Sequence, residues 1–141
     1  MTPSSPSARC LTRTQIAVAL VVADGHVLVG RRSDTASDAP GKHEFPGGKV
    51  EPGEVPESAA VRECLEEVGL AIRVRRRLDA VRAESTAGPI DVLFFVAEPA
   101  DATNVPRPPF EWRRVASLEA GLFPPANAAV LDWLRRHHGG S

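Results

Sequence analysis

The chain has 141 residues with 17 basic and 18 acidic side chains, which gives a formal net charge of −1. This length suits one domain around a single hydrophobic core. The balanced charge argues against a surface for long nucleic acid or an anionic membrane, whereas a small anionic ligand needs only a local cluster. No apolar run approaches the roughly 20 residues of a membrane-spanning helix.

The two cysteines lie in unlike surroundings. Cys10 belongs to a polar stretch, and Cys64 lies among apolar residues of a predicted helix. We therefore expect no disulfide between them and predict a reducing, cytoplasmic setting. The apolar run at 16–23 is preceded by arginines, as in a signal peptide, but the turn that follows it favours a β-strand.

Residues 1–13 are rich in Ser, Thr and Pro, and we predict that they form a flexible tail. The domain is predicted over 14–138. It opens with strands at 14–23 and 26–32, which an Asp-Gly turn joins. A loop at 33–42 follows, because Asp, Ser, Pro and Gly crowd this segment.

The clearest helix is predicted at 56–68, where apolar residues recur at helical spacing. Pro56 suits its first turn and Gly69 suits its C-cap. Strands are predicted next, at 70–82 and 90–97, the second with the continuous apolar run of a buried strand.

A proline-rich loop is predicted at 98–110, a short strand at 112–115 and a final helix at 125–136. The final helix would turn three apolar side chains to the core: Val130, Leu131 and Leu134. Grouped strands with two principal helices favour an α/β sandwich with a mixed sheet.

Three glutamates share one face of the predicted helix at 56–68. Glu63, Glu66 and Glu67 are spaced i, i+3 and i+4, so their side chains project within an arc of about 100°. Such a face is either plain solvated surface or a site for hard divalent cations, which prefer oxygen ligands. The preceding stretch, 45–54, is rich in glycines that let backbone groups approach a ligand, but it lacks the GxxxxGK[ST] phosphate loop.

Residues 48–70 read GKVEPGEVPESAAVRECLEEVGL and resemble the signature of the Nudix hydrolase family. The positions in register are Gly48, Glu54, Arg62, Glu63, Glu66, Glu67, Gly69 and Leu70. Cys64 stands where the family has a larger apolar residue, a departure that concerns packing. The resemblance implies a Nudix-type α/β/α sandwich with a mixed sheet and two principal helices.

The resemblance also implies a mechanism. The expected ligands of Mg²⁺, or of Mn²⁺, are the carbonyl of Gly47 and the carboxylates of Glu63, Glu66 and Glu67. Glu63 or a nearby carboxylate would activate water, and Arg62 with Glu54 would hold loop and helix together. The alternative for Arg62 is an ordinary solvent-exposed ion pair with Glu66, four residues along the helix. The implied reaction is hydrolysis of a nucleoside triphosphate to the monophosphate and pyrophosphate.

Further segments resemble the 8-oxo-dGTP diphosphatases of this family, namely EFPGGK at 44–49 and FPPAN at 123–127. The substrate-binding residues so implied are Arg32, Phe45, Gly48, Lys49 and Asn127. The Asn127 amide both donates and accepts, which suits a purine edge, although an asparagine before a helix is commonly a cap. Arg32 could equally be a solvated charge, and Phe45 a core residue.

One departure concerns the loop before Glu111, which lacks a glutamate that the resembling enzymes carry. The proton acceptor therefore stays open among Glu84, Glu98 and Glu111. A CTP or modified-dCTP pyrophosphatase is the main rival, and an inactive Nudix-like nucleotide-binding domain is the second. We expect a small nucleotide as partner, without long nucleic acid or membrane, and the sequence leaves the oligomeric state open.

Overall fold

The computed structural model of the protein describes residues 13–36, 40–101 and 103–139. The predicted tail lies outside these residues except for Arg13, whose guanidinium donates to Asp91 at 2.6 Å. Cys10 also lies outside them, and Cys64 is buried as a free thiol. Within the described ranges, no helix is both long and apolar enough to cross a membrane.

The described chain forms strands that alternate in groups with two α-helices. In chain order they are β1 Thr14–Ala23, β2 His26–Arg31, β3 His43–Glu44, β4 Gly47–Lys49, α1 Pro56–Val68, β5 Ile72–Arg77, β6 Val81–Ser85, β7 Gly88–Pro99, β8 Glu111–Arg114 and α2 Ala128–His138. Three 3-10 turns, at 115–117, 120–122 and 125–127, precede α2. The predicted architecture of a mixed sheet with two principal helices is confirmed.

The sheet is mixed because β1 pairs in parallel with β7 and antiparallel with β2 and β4. Alternate residues of β1 enter different apolar clusters, Ala19 that of α1 and Leu20 that of α2. Since successive side chains of a strand point to opposite faces, the two helices cover opposite faces of the sheet. The result is the expected α/β/α sandwich.

The structure differs most from the prediction in two elements, while the bounds of β7 and β8 differ by one or two residues. The strand expected at 70–82 is two strands, β5 and β6, which pair with successive parts of the long strand β7. The final helix begins at Ala128 because 125–127 forms a 3-10 turn. The short strands β3 and β4 were not predicted, since two or three residues carry no periodic signal.

Helix α1 has the predicted bounds, and Gly69 ends it in the left-handed region at φ 80°. Its buried side is narrow and made of small residues: Ala59, Ala60, Cys64 and Val68. Leu65, part of the apolar pattern in the sequence, is 52% exposed. Small buried residues let α1 lie close to β1 and β4, which sets its acidic face beside the glycines of β4.

Candidate active site

The glycines of β4 lie against the acidic residues of α1. A Cβ on Gly48 would stand 2.5 Å from Oε2 of Glu63, so a glycine is required for that carboxylate to rest on the strand. A Cβ on Gly47 would collide with the carbonyl of Ala17 in β1. The Gly47 N–H donates to Oε1 of Glu67 at 3.1 Å. The two glycines of β4 thus contact the carboxylates of Glu63 and Glu67 directly.

Arg62 ties α1 to the loop before it. Its Nε and Nη2 donate to the two carboxylate oxygens of Glu54 at 2.8 and 3.0 Å, and Nη2 also donates to the Lys49 carbonyl at 3.1 Å. Nη1 donates to Glu63 at 3.0 Å and to Glu66 at 3.3 Å. The bidentate bond to Arg62 lowers the pKa of Glu54 to about 2. A plain surface pair does not describe this network.

Glu67 lies where α1 meets Gly47. The side chain as a whole is exposed, but its carboxyl is partly withdrawn from water where it accepts the Gly47 N–H. This burial raises the pKa of Glu67 to about 7, and the nearby charges of Glu63, Glu44 and Glu66 act in the same direction. A bound cation would stabilise the ionised carboxylate and so oppose this rise in pKa.

The donor chemistry of this face fits a hard divalent cation. Four carboxylates lie here: Glu54, Glu63, Glu66 and Glu67. In the described part of the chain, the ion pairs of the first three are all made with Arg62, and Glu67 forms none. Oxygen donors alone suit Mg²⁺ or Mn²⁺. Across residues 13–36, 40–101 and 103–139, however, no three His, Cys, Asp or Glu side chains already surround one point. Arg62 engages Glu63 and Glu66, while the Gly47 N–H engages Glu67.

A cavity of about 980 Å³ opens beside β4. Its floor is apolar and consists of Ile16, Val18, Val81, Ala83, Ile90 and Val92. Gly47 lines this cavity and also bonds Glu67, so the cavity and the acidic face of α1 adjoin one another. A ligand with a flat apolar part and an anionic part could occupy both.

Four of the predicted substrate-binding side chains line this cavity: Arg32, Phe45, Lys49 and Asn127. Phe45 is 6% exposed and stacks on Phe123 with ring centroids 5.0 Å apart, so it is a core residue as well as a cavity wall. Arg32 donates to Glu44 at 3.1 Å. Gly48 lies away from the cavity, against Glu63.

Asn127 directly precedes α2, the position at which the sequence left two roles open. Among the described residues, its side chain makes no capping hydrogen bond to the helix. It lines the cavity together with Pro124, Pro125 and Ala126. The geometry therefore does not support the capping role, and it places Asn127 in the wall of the cavity.

Two of the three candidate proton acceptors are engaged elsewhere. Glu98 faces Arg73 and Arg75, each at 3.5 Å, and Glu111 contacts Arg113 at 2.7 Å. Glu84 lines the cavity at the β6 side.

Glu44 is a carboxylate that the sequence analysis did not select. It lines the cavity, and burial raises its pKa against the opposing effect of Arg32. Its charge also contributes to the raised pKa of Glu67. The sequence signal that could have identified it is its place directly before Phe45, in the EFPGGK segment.

Comparison with known proteins identifies the family. The sequence model of the NUDIX domain matches residues 13–136 of this chain. The chain belongs to the Nudix family. It is accordingly a Nudix hydrolase, and the expectation of an enzyme of this family is confirmed.

The sequence similarity to individual relatives extends over different shares of this Nudix hydrolase. It is 35% identical over 129 residues to an 8-oxo-dGTP diphosphatase of Escherichia coli, and the aligned residues make up 89% of this chain and 99% of the relative. It is 42% identical over 60 residues to a CTP pyrophosphohydrolase of the same organism, and these residues make up 43% of this chain and 44% of that relative. The crystal structure of a MutT NUDIX hydrolase from Burkholderia pseudomallei superposes with a TM-score of 0.66 at 25% identity, covering 86% and 97%.

The metal-free Nudix protein is expected to lose stability as the pH rises from 4.5 to about 7, through the shifted pKa of Glu67. In this window the folded state keeps a proton on Glu67 that the unfolded chain has released, so the free energy of unfolding falls with pH. Chemical denaturation in EDTA should show this fall in the wild type and a smaller one in Glu67→Gln. Groups that titrate in both proteins cancel in the comparison, and equal pH dependence would contradict the assignment.

Proposed function

We propose that this Nudix hydrolase cleaves a nucleoside or deoxynucleoside triphosphate to the monophosphate and pyrophosphate, with an oxidised purine nucleotide such as 8-oxo-dGTP as its substrate. The cofactor would be Mg²⁺, or Mn²⁺. One observation carries the proposal: the apolar-floored cavity and the acidic face of α1 adjoin at Gly47. A base in the cavity would have its phosphates directed towards α1.

The side chains of α1 would act together on the phosphates. The residues that would hold the cation are the carbonyl of Gly47 and the carboxylates of Glu63, Glu66 and Glu67. When bound, the cation supplies positive charge that offsets the polyphosphate and lowers the pKa of water. Arg62 and Glu54 keep these carboxylates in place, since the guanidinium bonds both the loop and the helix.

Water would attack phosphorus at the anhydride between the α- and β-phosphates, whose P–O bond then breaks to leave a monophosphate and pyrophosphate. The proton released by the water needs a carboxylate at this surface. Glu98 and Glu111 are paired to arginines, and so are Glu44 and Glu63. Of the described carboxylates that line the cavity or contact Gly47, the two that form no ion pair with an arginine are Glu67 and Glu84.

The base would lie on the apolar floor of the cavity with its polar edge towards Asn127. An amide donates and accepts at once, as a purine edge does. The similarity to the 8-oxo-dGTP diphosphatase supports this substrate, because it extends over 99% of that relative. The setting would be cytoplasmic and reducing, with a free nucleotide as the partner.

A CTP or modified-dCTP pyrophosphatase is the second candidate. The shorter similarity to a CTP pyrophosphohydrolase favours it, and an amide can also pair with a cytosine edge. Turnover of 8-oxo-dGTP, dGTP, dCTP and CTP at equal concentration, with identification of both products, separates the two. Preferred turnover of a cytidine nucleotide would establish the second candidate and overturn the first.

Asn127→Ala is expected to reduce the preference for the purine over a pyrimidine nucleotide. Removing the amide leaves a polar edge of the bound base unpaired, which costs about 1–3 kcal/mol. The measurement is the ratio of kcat/KM for 8-oxo-dGTP and dCTP. Asn104→Ala, at an exposed asparagine in the loop before β8, is the matched control. An unchanged ratio in Asn127→Ala would remove Asn127 from base recognition.

A further inference from the structure

The loop between β7 and β8 is fixed at two places. The backbone N–H of Arg107 donates to the carbonyl of Val68 at 2.8 Å, and its Nη1 donates to the carbonyl of Glu66 at 2.8 Å. Farther along the loop, Phe110 is buried against β2, where a Cβ on Gly30 would stand 2.6 Å from its ring. This part of the loop therefore connects the end of α1 to the sheet.

Arg107 supplies hydrogen bonds that α1 cannot make for itself. The last four carbonyls of an α-helix have no partner within the helix. Here the Gly69 N–H donates to the carbonyl of Leu65. Arg107 donates to two others, from its guanidinium to Glu66 and from its backbone N–H to Val68. A positive charge at this end also interacts favourably with the helix dipole. Gly69 leaves room for the guanidinium, since a Cβ there would stand 3.2 Å from Nη2 of Arg107.

The turn that Arg107 holds carries two of the acidic residues. Glu66 offers its backbone carbonyl to Arg107 and its carboxylate to Arg62, and Glu67 follows it directly. Arg62 holds the carboxylates of Glu63 and Glu66, whereas the contact of Arg107 is to the backbone of the last turn. Helix ends open more readily than helix centres, so this turn is where Glu67 would lose its bond to Gly47.

We propose that Arg107 is a positioning residue: it holds the last turn of α1 so that Glu66 and Glu67 stay aimed at the cation site beside Gly47. The inference rests on the proposed function, in which these carboxylates hold the metal. Arg107 itself contacts neither the cation nor the substrate. Its effect passes through the backbone of Glu66 and Val68.

Arg107→Ala tests this directly, because it removes the guanidinium and keeps the backbone bond to Val68. In the absence of nucleotide, the dissociation constant for Mn²⁺, measured by electron paramagnetic resonance, should rise about tenfold or more. Amide hydrogen exchange of the metal-free protein should become faster in the last turn of α1. Arg107→Lys keeps the positive charge and an ammonium group that can donate to the Glu66 carbonyl, so it should recover part of the affinity.

Arg77→Ala is the matched control, since Arg77 is an exposed arginine of β5. It should leave both the Mn²⁺ affinity and the exchange of α1 unchanged. A purely structural role for Arg107 would lower the melting temperature without altering Mn²⁺ affinity, and that result would overturn the proposal. If the wild type bound no Mn²⁺ and cleaved no nucleotide, the proposed function would fail instead, and unchanged exchange in Arg107→Ala would separately refute the contact.

Discussion

Glu67→Gln is expected to lower kcat by about 100- to 1,000-fold while the protein stays folded. The amide keeps the size of the side chain and can still accept the Gly47 N–H, but it removes the negative charge that a divalent cation requires. Turnover of 8-oxo-dGTP at saturating Mg²⁺ measures the loss. The melting temperature of the metal-free variant should not fall, because the substitution also removes like-charge repulsion with Glu63, Glu44 and Glu66.

Glu57→Gln provides the comparison on the same helix. Glu57 is an exposed residue of the first turn of α1, and it should keep wild-type turnover when it is neutralised. A general effect of helix charge would lower the activity of both variants. Wild-type activity in Glu67→Gln at saturating Mg²⁺ would show that catalysis does not depend on the Glu67 carboxylate.

Gly48→Ala is expected to lower kcat by about 100-fold, because the new Cβ displaces the carboxylate of Glu63. The Cβ would stand 2.5 Å from Oε2 of Glu63, which is the far end of a flexible side chain. The side chain can therefore move aside, and the fold is expected to persist. Steady-state kinetics and the Mn²⁺ dissociation constant should both report the displacement.

Two other glycines make this test specific. Gly121→Ala is the control, since no described atom lies within 4 Å of a Cβ added there, and it should change neither activity nor stability. Gly47→Ala should instead destabilise the fold, because its Cβ would meet the backbone of Ala17 in β1. If Gly48→Ala retained full activity, Glu63 would not need its place on β4.

The fold was predictable from the sequence where the signals are local. Helix α1 has its predicted bounds because apolar periodicity, Pro56 and Gly69 all lie within a few residues of its ends. The break between β5 and β6 depends on pairing with β7, since β6 pairs with the first part of β7 and β5 with its last part. Alternation along 70–82 carries no sign of that shared partner, so one strand was predicted instead of two.

The residues of the candidate site were likewise predictable where they lie close together in the sequence. The spacing of Glu63, Glu66 and Glu67 on one helix placed the acids on one face, and the resemblance to the family pointed to the Glu54–Arg62 bond. The contact of Arg107 with Glu66 joins residues 41 positions apart, and no local pattern predicts it.

The most direct test of this account is the hydrolysis of 8-oxo-dGTP, followed by ³¹P nuclear magnetic resonance before and after complete removal of divalent cations. We expect no turnover in excess EDTA, and recovery on addition of Mg²⁺ with a monophosphate and pyrophosphate as the products. Equal turnover in EDTA, or release of a nucleoside diphosphate and inorganic phosphate, would contradict a divalent-cation site on α1 that acts between the α- and β-phosphates.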